Sequence, residues 1–116
     1  MKIYQFKKEA GKKIKKFDSD FVMSRIAQTE KAAHIGCMHL DENGIIGYHQ
    51  AFVPQLLLIV SGEGWVRGET NEYIKVHSGE AVFWDRDEWH ETKTNKGLTA
   101  IVIEGEELTI SSLIPL

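Results

Sequence analysis

Two stretches decide how this chain folds: GIIGYHQAFVPQLLLIVSG at residues 44–62 and GEAVFWDRDEWHETKT at residues 79–94. In the first, Gly44 precedes His49, Ala51, Gln55 and Gly62; in the second, Gly79 leads to Asp85, Asp87, His90 and Thr94. Both are rich in β-branched, aliphatic and aromatic residues and are punctuated by glycine, so they read as strands. Side chains two apart on a strand share a face. His49 and Ala51 thus face one way, as do Gln55, Leu57 and Ile59 on the next strand, and Glu88, His90 and Thr92 on a later one. Leu56-Leu57-Leu58-Ile59-Val60 is apolar at every position. An antiparallel strand with one wet face would alternate, so both faces of this run need cover. One face is expected to line a core, and the other to meet a second sheet or a second subunit. Trp65, Trp84 and Trp89 add large apolar area nearby, and the expectation is a homodimer formed by sheet packing.

The rest of the chain repeats the pattern. No window of helical length keeps an apolar stripe at three-and-four spacing. Short β-rich runs are predicted near 2–6, 13–17, 21–29, 33–40, 45–51, 55–61, 64–67, 72–77, 80–84, 89–94 and 98–104. Turns are predicted at Asp41–Gly44, Ser61–Gly64, Arg67–Asn71, Ser78-Gly79 and Asn95–Gly97, with Ser61-Gly62-Glu63-Gly64 read as a hairpin turn. Turn signals this frequent predict an all-β sandwich or barrel. The final dozen residues read as a short helical or extended tail.

The spacings of the two quoted stretches resemble the two motifs of the cupin superfamily, whose first motif holds His-x-His, a glutamate and a glycine, and whose second holds a glycine, a proline, a glycine and a histidine. Here His49, Ala51, Gln55 and Gly62 hold the first spacing, with Gly44 one residue closer than usual, and Gly79, Asp85, Asp87 and His90 hold the second. The resemblance covers residues 33–104. It implies a cupin-type double-stranded β-helix, a jelly-roll barrel of the small RmlC-like kind, occupying residues 1–116 as a single domain. The core motifs would span 44–94, residues 1–17 would be basic N-terminal edge strands, and 105–116 a C-terminal tail. It also implies that His49, Gln55 and His90 converge inside the barrel at the family's metal position.

Two residues depart from the family's pattern. Ala51 stands where the second histidine belongs, and Gln55 where the glutamate belongs. The site loses one imidazole and its only anionic ligand. Zinc, iron, nickel, manganese or copper bound by His49, Gln55 and His90 would therefore be held weakly and keep several positions open. The other reading is a polar pocket in which the imidazoles and Gln55 bond one another, a water or an organic ligand. Tyr48, Ala51, Leu57, Trp89, Thr92, His34 and His39 are candidate pocket residues. Cys37 shares a face with His39, while His34, Gly36 and Met38 share the other; an isolated histidine on a strand is more often surface or core, and a lone cysteine a small buried hydrophobe. Arg67 and the Asp85–Glu88 turn read as solvated, and His77 as a turn residue.

The functional expectation is a small organic ligand held in the barrel. In one version a metal takes part, as in dioxygenase- or isomerase-like cupins. In the other the module binds or senses without metal or catalysis. Ser61, Ser78, Ser111 and Ser112 lack a nucleophile-elbow context, and no glycine loop ahead of a helix cradles phosphate. Cys37 is the only cysteine, so no intrachain disulfide forms. With no signal-like N-terminus and no long apolar run, a cytoplasmic protein without membrane association is expected. Net charge is −3, yet residues 1–16 carry +6 and the remainder −9. Lys13, Lys15 and Lys16 flank Ile14 and Phe17, which suits a charge-protected edge strand. A nucleic-acid partner is disfavoured, because no aromatic interleaves the lysines at 7–16 and the acidic body would repel phosphate.

Overall fold

The computed structural model describes residues 1–111 and 113–116; Ser112, one of the serines scanned above, lies outside them. Thirteen strands form among the described residues: β1 Lys2–Gln5, β2 Lys12–Ile14, β3 Phe21–Met23, β4 Ala27–Thr29, β5 Ala33–Leu40, β6 Ile45–Gln50, β7 Gln55–Arg67, β8 Ile74–His77, β9 Glu80–Trp84, β10 Trp89–Lys93, β11 Leu98–Gly105, β12 Leu108–Ile110 and β13 Ile114–Pro115. All pairings are antiparallel. One sheet runs β13-β1-β9-β7-β11-β5, the other β8-β7-β10-β6. β7 belongs to both, and this shared strand makes the molecule a jelly roll.

The Ser61–Gly64 segment is therefore not a hairpin turn. The chain continues through it as one thirteen-residue strand that bends from the first sheet into the second. Residues Gln55–Gly62 pair with β11, and Glu63–Arg67 with β8 and β10. Gly62 has φ +83, and a Cβ there would lie 2.3 Å from the Gly97 carbonyl oxygen; at Gly64 it would lie 2.4 Å from that of Lys93. Both glycines mark close backbone approach at a corner, with a register shift beside them on β11. The expected tail is extended: β12 pairs with β4, and β13 with β1.

Four of the five residues of the apolar run of β7, Leu56–Ile59, are covered by their own chain on both faces, while Val60 at its end is 52% exposed. Leu57 and Ile59 pack inside the barrel with Val66, Val76, Val82, Trp84, Leu98, Ala100 and Val102. Leu56 and Leu58 pack outside with Ala81, Leu108 and Leu113, joined by Tyr4, Phe6, Ile26 and Ile110. The N- and C-terminal strands thus supply the second layer for which a partner subunit was one candidate. Each buried leucine contributes roughly 1.5–3 kcal/mol.

The basic arm also differs from expectation. β2 ends at Ile14, and residues Lys16–Asp18 form a single 3₁₀ turn. β2 pairs only with β3, in a two-stranded sheet of its own. Phe17 therefore sits at a hairpin tip instead of on an edge strand.

Candidate functional site

Strand pairing builds the site from β6, β7, β9 and β10. His90 on β10 lies directly opposite His49 on β6, and their ring centroids are 4.3 Å apart. Gln55 on β7 is opposite Trp84 on β9. The Trp84 indole stacks on the His90 imidazole at 4.4 Å with an interplanar angle of 26°. Trp84 belongs to the inner core, so this face is the barrel lumen. The same row continues outward, with Gln55 opposite Glu104 on β11 and Glu104 opposite His34 on β5.

His90 is buried and His49 exposed, so the pair spans the lumen mouth, not its centre. Nδ1 of His49 lies 2.7 Å from the Gly47 carbonyl, and Nδ1 of His90 lies 3.4 Å from that of Glu88. A carbonyl can only accept, so the proton sits on Nδ1 in each ring and Nε2 keeps a free lone pair. Burial, with a smaller contribution from the neighbouring His49, pushes the His90 pKa down to about 4. His90 is thus neutral near pH 7 and available as an acceptor or ligand.

Two buried polar atoms here have no hydrogen-bond partner among the described residues: Nε2 of His90 and Nε1 of Trp84. One is an acceptor and the other a donor, on rings stacked against each other. Leaving such groups unpaired costs about 1–3 kcal/mol each. This is a small polar site in a wall that is otherwise packed.

The remaining candidates divide by face. Ala51 is buried where a histidine stands in the family motif; its N–H donates to the Glu88 carbonyl and its carbonyl accepts from Asp87. Leu57 and Thr92 are buried too, Leu57 in the lumenal core. His34 has lumenal parity but is exposed at the start of β5, beside Glu104. Tyr48, Trp89 and His39 do not line the lumen. Tyr48 and Trp89 each neighbour a lumenal histidine in sequence, and strand alternation sends them to the outer face, where they stack on each other at 5.3 Å. His39 shares the outward parity of exposed Cys37 and Ile35.

The outer face carries a saturated network. Arg67 Nε donates to Glu91 Oε1 at 3.2 Å, the Tyr73 hydroxyl donates to the same oxygen, and the Arg67 guanidinium lies 4.1 Å from the Tyr48 ring centroid. The Tyr73 hydrogen bond, helped by Arg67, holds the Glu91 carboxyl below the usual range despite the opposing effect of burial. Arg67 is thus a fixed part of the sheet surface, not a free solvated side chain. In the Asp85–Glu88 turn the Arg86 backbone N–H donates to Asp85, the Arg86 guanidinium donates to the Phe52 carbonyl, and the ion pair of Glu88 is a distant one, with the Met1 ammonium at 2.7 Å. His77 closes β8 beside Glu80, and Thr94 bridges the Glu63 carbonyl and the Gly97 N–H.

Sequence reasoning treated Trp84 as packing and did not single out Glu104. Trp84 adjoins the second motif, but its stacking on His90 follows from the register of β9 against β7, which no local pattern displays. Among the described residues, no group of three or more His, Cys, Asp or Glu side chains forms a metal-binding cluster. The donor set fits a divalent ion only as two imidazoles with a neutral amide on the same lumenal face.

No family model and no curated protein matches the sequence. Solved structures do match the fold. A cupin superfamily protein from Desulfitobacterium hafniense superposes with a TM-score of 0.59 at 12% identity, covering 68% of this chain and 74% of that one. An RmlC-like cupin from Shewanella frigidimarina gives 0.58 at 14%, covering 74% and 71%. A predicted oxalate decarboxylase from Thermotoga maritima gives 0.55 at 19%, covering 66% and 65%.

Proposed function

This chain has the cupin fold, and we propose that it holds a compact organic molecule at the mouth of its barrel, between His90, Trp84 and His49. The observation that carries this is the pair of unpartnered buried atoms, His90 Nε2 and Trp84 Nε1. A ligand that donates to the first and accepts from the second restores both bonds; both atoms are buried, so the exposed His49 ring, 4.3 Å from His90, has to turn aside to admit it. The packed lumen below limits it to a small molecule.

A second reading is favoured by the two imidazole tautomers. Carbonyls behind both Nδ1 atoms leave both Nε2 atoms free, as outer-shell acceptors do behind metal-bound histidines. Zinc, nickel, copper, iron or manganese would then sit on His49 and His90, weakly, with Gln55 as a neutral neighbour, and would act as a Lewis acid or redox centre. Only this version makes the chain an enzyme of dioxygenase or isomerase type, and the low identity of the decarboxylase-like neighbour adds nothing to it.

The test is titration of the full chain with zinc and nickel, and separately with a panel of small heteroaromatic and carboxylate fragments, observed through the Trp84 indole N–H and His90 ring resonances. Perturbation of both resonances in the wild type, with the Trp84 shift lost in His90→Phe, supports the site. If no metal or fragment moves either resonance, the reading fails. A homodimer belongs to the same proposal: β5 pairs on one side only and exposes Ile35 and Cys37. Light scattering at micromolar concentration checks it, and a monomer refutes it. The small-molecule role and the lone thiol are in keeping with a cytoplasmic setting.

A further inference from the structure

The β2–β3 hairpin stands apart from the barrel sheets and carries a surface that the lumenal site does not use. Its strands pair only with each other. At the tip, Phe17 is 96% exposed and adopts φ 58, ψ 38, followed by Asp18 at φ 58. A left-handed conformation is costly for a bulky aromatic residue, about 1–2 kcal/mol, and no packing contact offsets it here. Phe21, 43% exposed, joins Ile14 and Met23 along a groove of about 700 Å³. Lysines rim this groove, Lys15 and Lys16 nearest the tip. Residues 12–25 carry four lysines and Arg25 against Asp18 and Asp20, whereas the chain from residue 17 onward carries −9.

We propose that this hairpin docks on an anionic lipid surface, with Phe17 in the interfacial layer and the lysines against headgroups. Charge complementarity selects an anionic surface, and the exposed apolar tip selects one that an aromatic side chain can enter. Lysine stems can cover an apolar floor while their ammonium groups reach outward; Lys12, Lys15 and Lys16 line this groove, and Lys13 beside them pairs with Asp20 at 3.4 Å. Nucleic acid fits less well. Single-strand binding uses successive aromatic platforms, whereas the aromatics lining this groove are Phe17 at the tip and Phe21, and a long polyanion would run over the acidic body. Contact through one hairpin leaves charges more than about 10 Å away largely screened.

The full chain is co-sedimented with vesicles of mixed phosphatidylcholine and phosphatidylglycerol, and with vesicles of phosphatidylcholine alone. Binding to the anionic vesicles only, lost at high salt, is the expected result. Lys15→Ala and Lys16→Ala should each weaken it roughly five-fold. Phe17→Asn should weaken it several-fold while raising thermal stability, because asparagine tolerates the left-handed conformation. That combination separates lost docking from lost folding. The proposal is overturned if wild type ignores anionic vesicles at low salt, or if Phe17→Asn binds as tightly as wild type. It also falls if a single-stranded oligonucleotide binds the hairpin more tightly than the vesicles do.

Discussion

The two faces of β10 and β6 are built from neighbouring residues, yet their chemistry is opposite. Outside, Tyr48, Trp89, Arg67, Tyr73 and Glu91 satisfy one another through stacking, a cation–π contact and a shared carboxylate oxygen. Inside, His90 stacks on Trp84 and meets His49 at a tilt, and two buried polar atoms stay unpaired. The outer face has more charge and more aromatic surface, and its hydrogen bonds close on themselves. The inner face has less, and its unmet bonds are what a ligand can use. Number of polar groups is thus a poor guide to a site here; unmet hydrogen-bonding capacity is a better one.

The largest expected effect tests which face carries the fold. Trp84→Ala should cost about 3–5 kcal/mol in denaturant unfolding, since it empties the core beneath His90. Trp89→Ala, on a residue 39% exposed, should cost less than about 1.5 kcal/mol. Equal costs would erase the distinction between the faces.

Next comes pH. The folded His90 takes a proton only near pH 4, whereas the unfolded imidazole takes one near 6.5. Between those values the unfolded chain binds more protons, so stability falls on acidification across that window, by about 3 kcal/mol in total. His90→Phe keeps the stack on Trp84 and should remove this slope, with stability at pH 7 unchanged or higher. A large loss at pH 7 would mean that the imidazole is a structural group and not a reserved one.

A third experiment sharpens the inner face. Ala51→His with Gln55→Glu should raise affinity for zinc or nickel by more than tenfold, about 1.4 kcal/mol or more, through an added imidazole and a negative charge. Calorimetric titration of both forms measures it. Nanomolar binding by the wild type would show that another side chain completes the site, and Glu104, opposite Gln55, is the first to replace.

The smallest effect concerns the outer network. Glu91→Gln should cost about 1 kcal/mol near pH 7. Because the Glu91 pKa is lowered in the folded state, first by Tyr73 and then by Arg67, the wild-type advantage is present above the ordinary carboxyl pKa. It is lost as pH falls through the folded value. An unchanged acid limb in Glu91→Gln would show that the network is ornamental.

The sequence by itself determined the all-β fold class, which follows from period-two alternation and glycine punctuation, both local. That His49 and His90 meet was implied only by the resemblance of two motif spacings to the cupin pattern, and it is the register of β10 against β6 that sets them opposite each other. The sequence also required cover on both sides of Leu56–Val60, because no alternation appears there. What covers the outer side was decided by tertiary structure alone: Leu108, Leu113 and Ile26 lie far from the run in sequence, and loop closure over such distances leaves no periodic trace. The bend of β7 through Gly62 looked like a turn because glycine serves both purposes; only the β11 and β10 backbones, close enough to exclude a side chain, distinguish a corner from a hairpin. The same holds at the site. Alternation shows that Trp89 and His90 point apart, but which of them faces the lumen, and that Trp84 stacks on His90, depends on how β9 and β10 align against β7. Register between strands is fixed by long-range packing, and it decided which aromatic residue became part of the site.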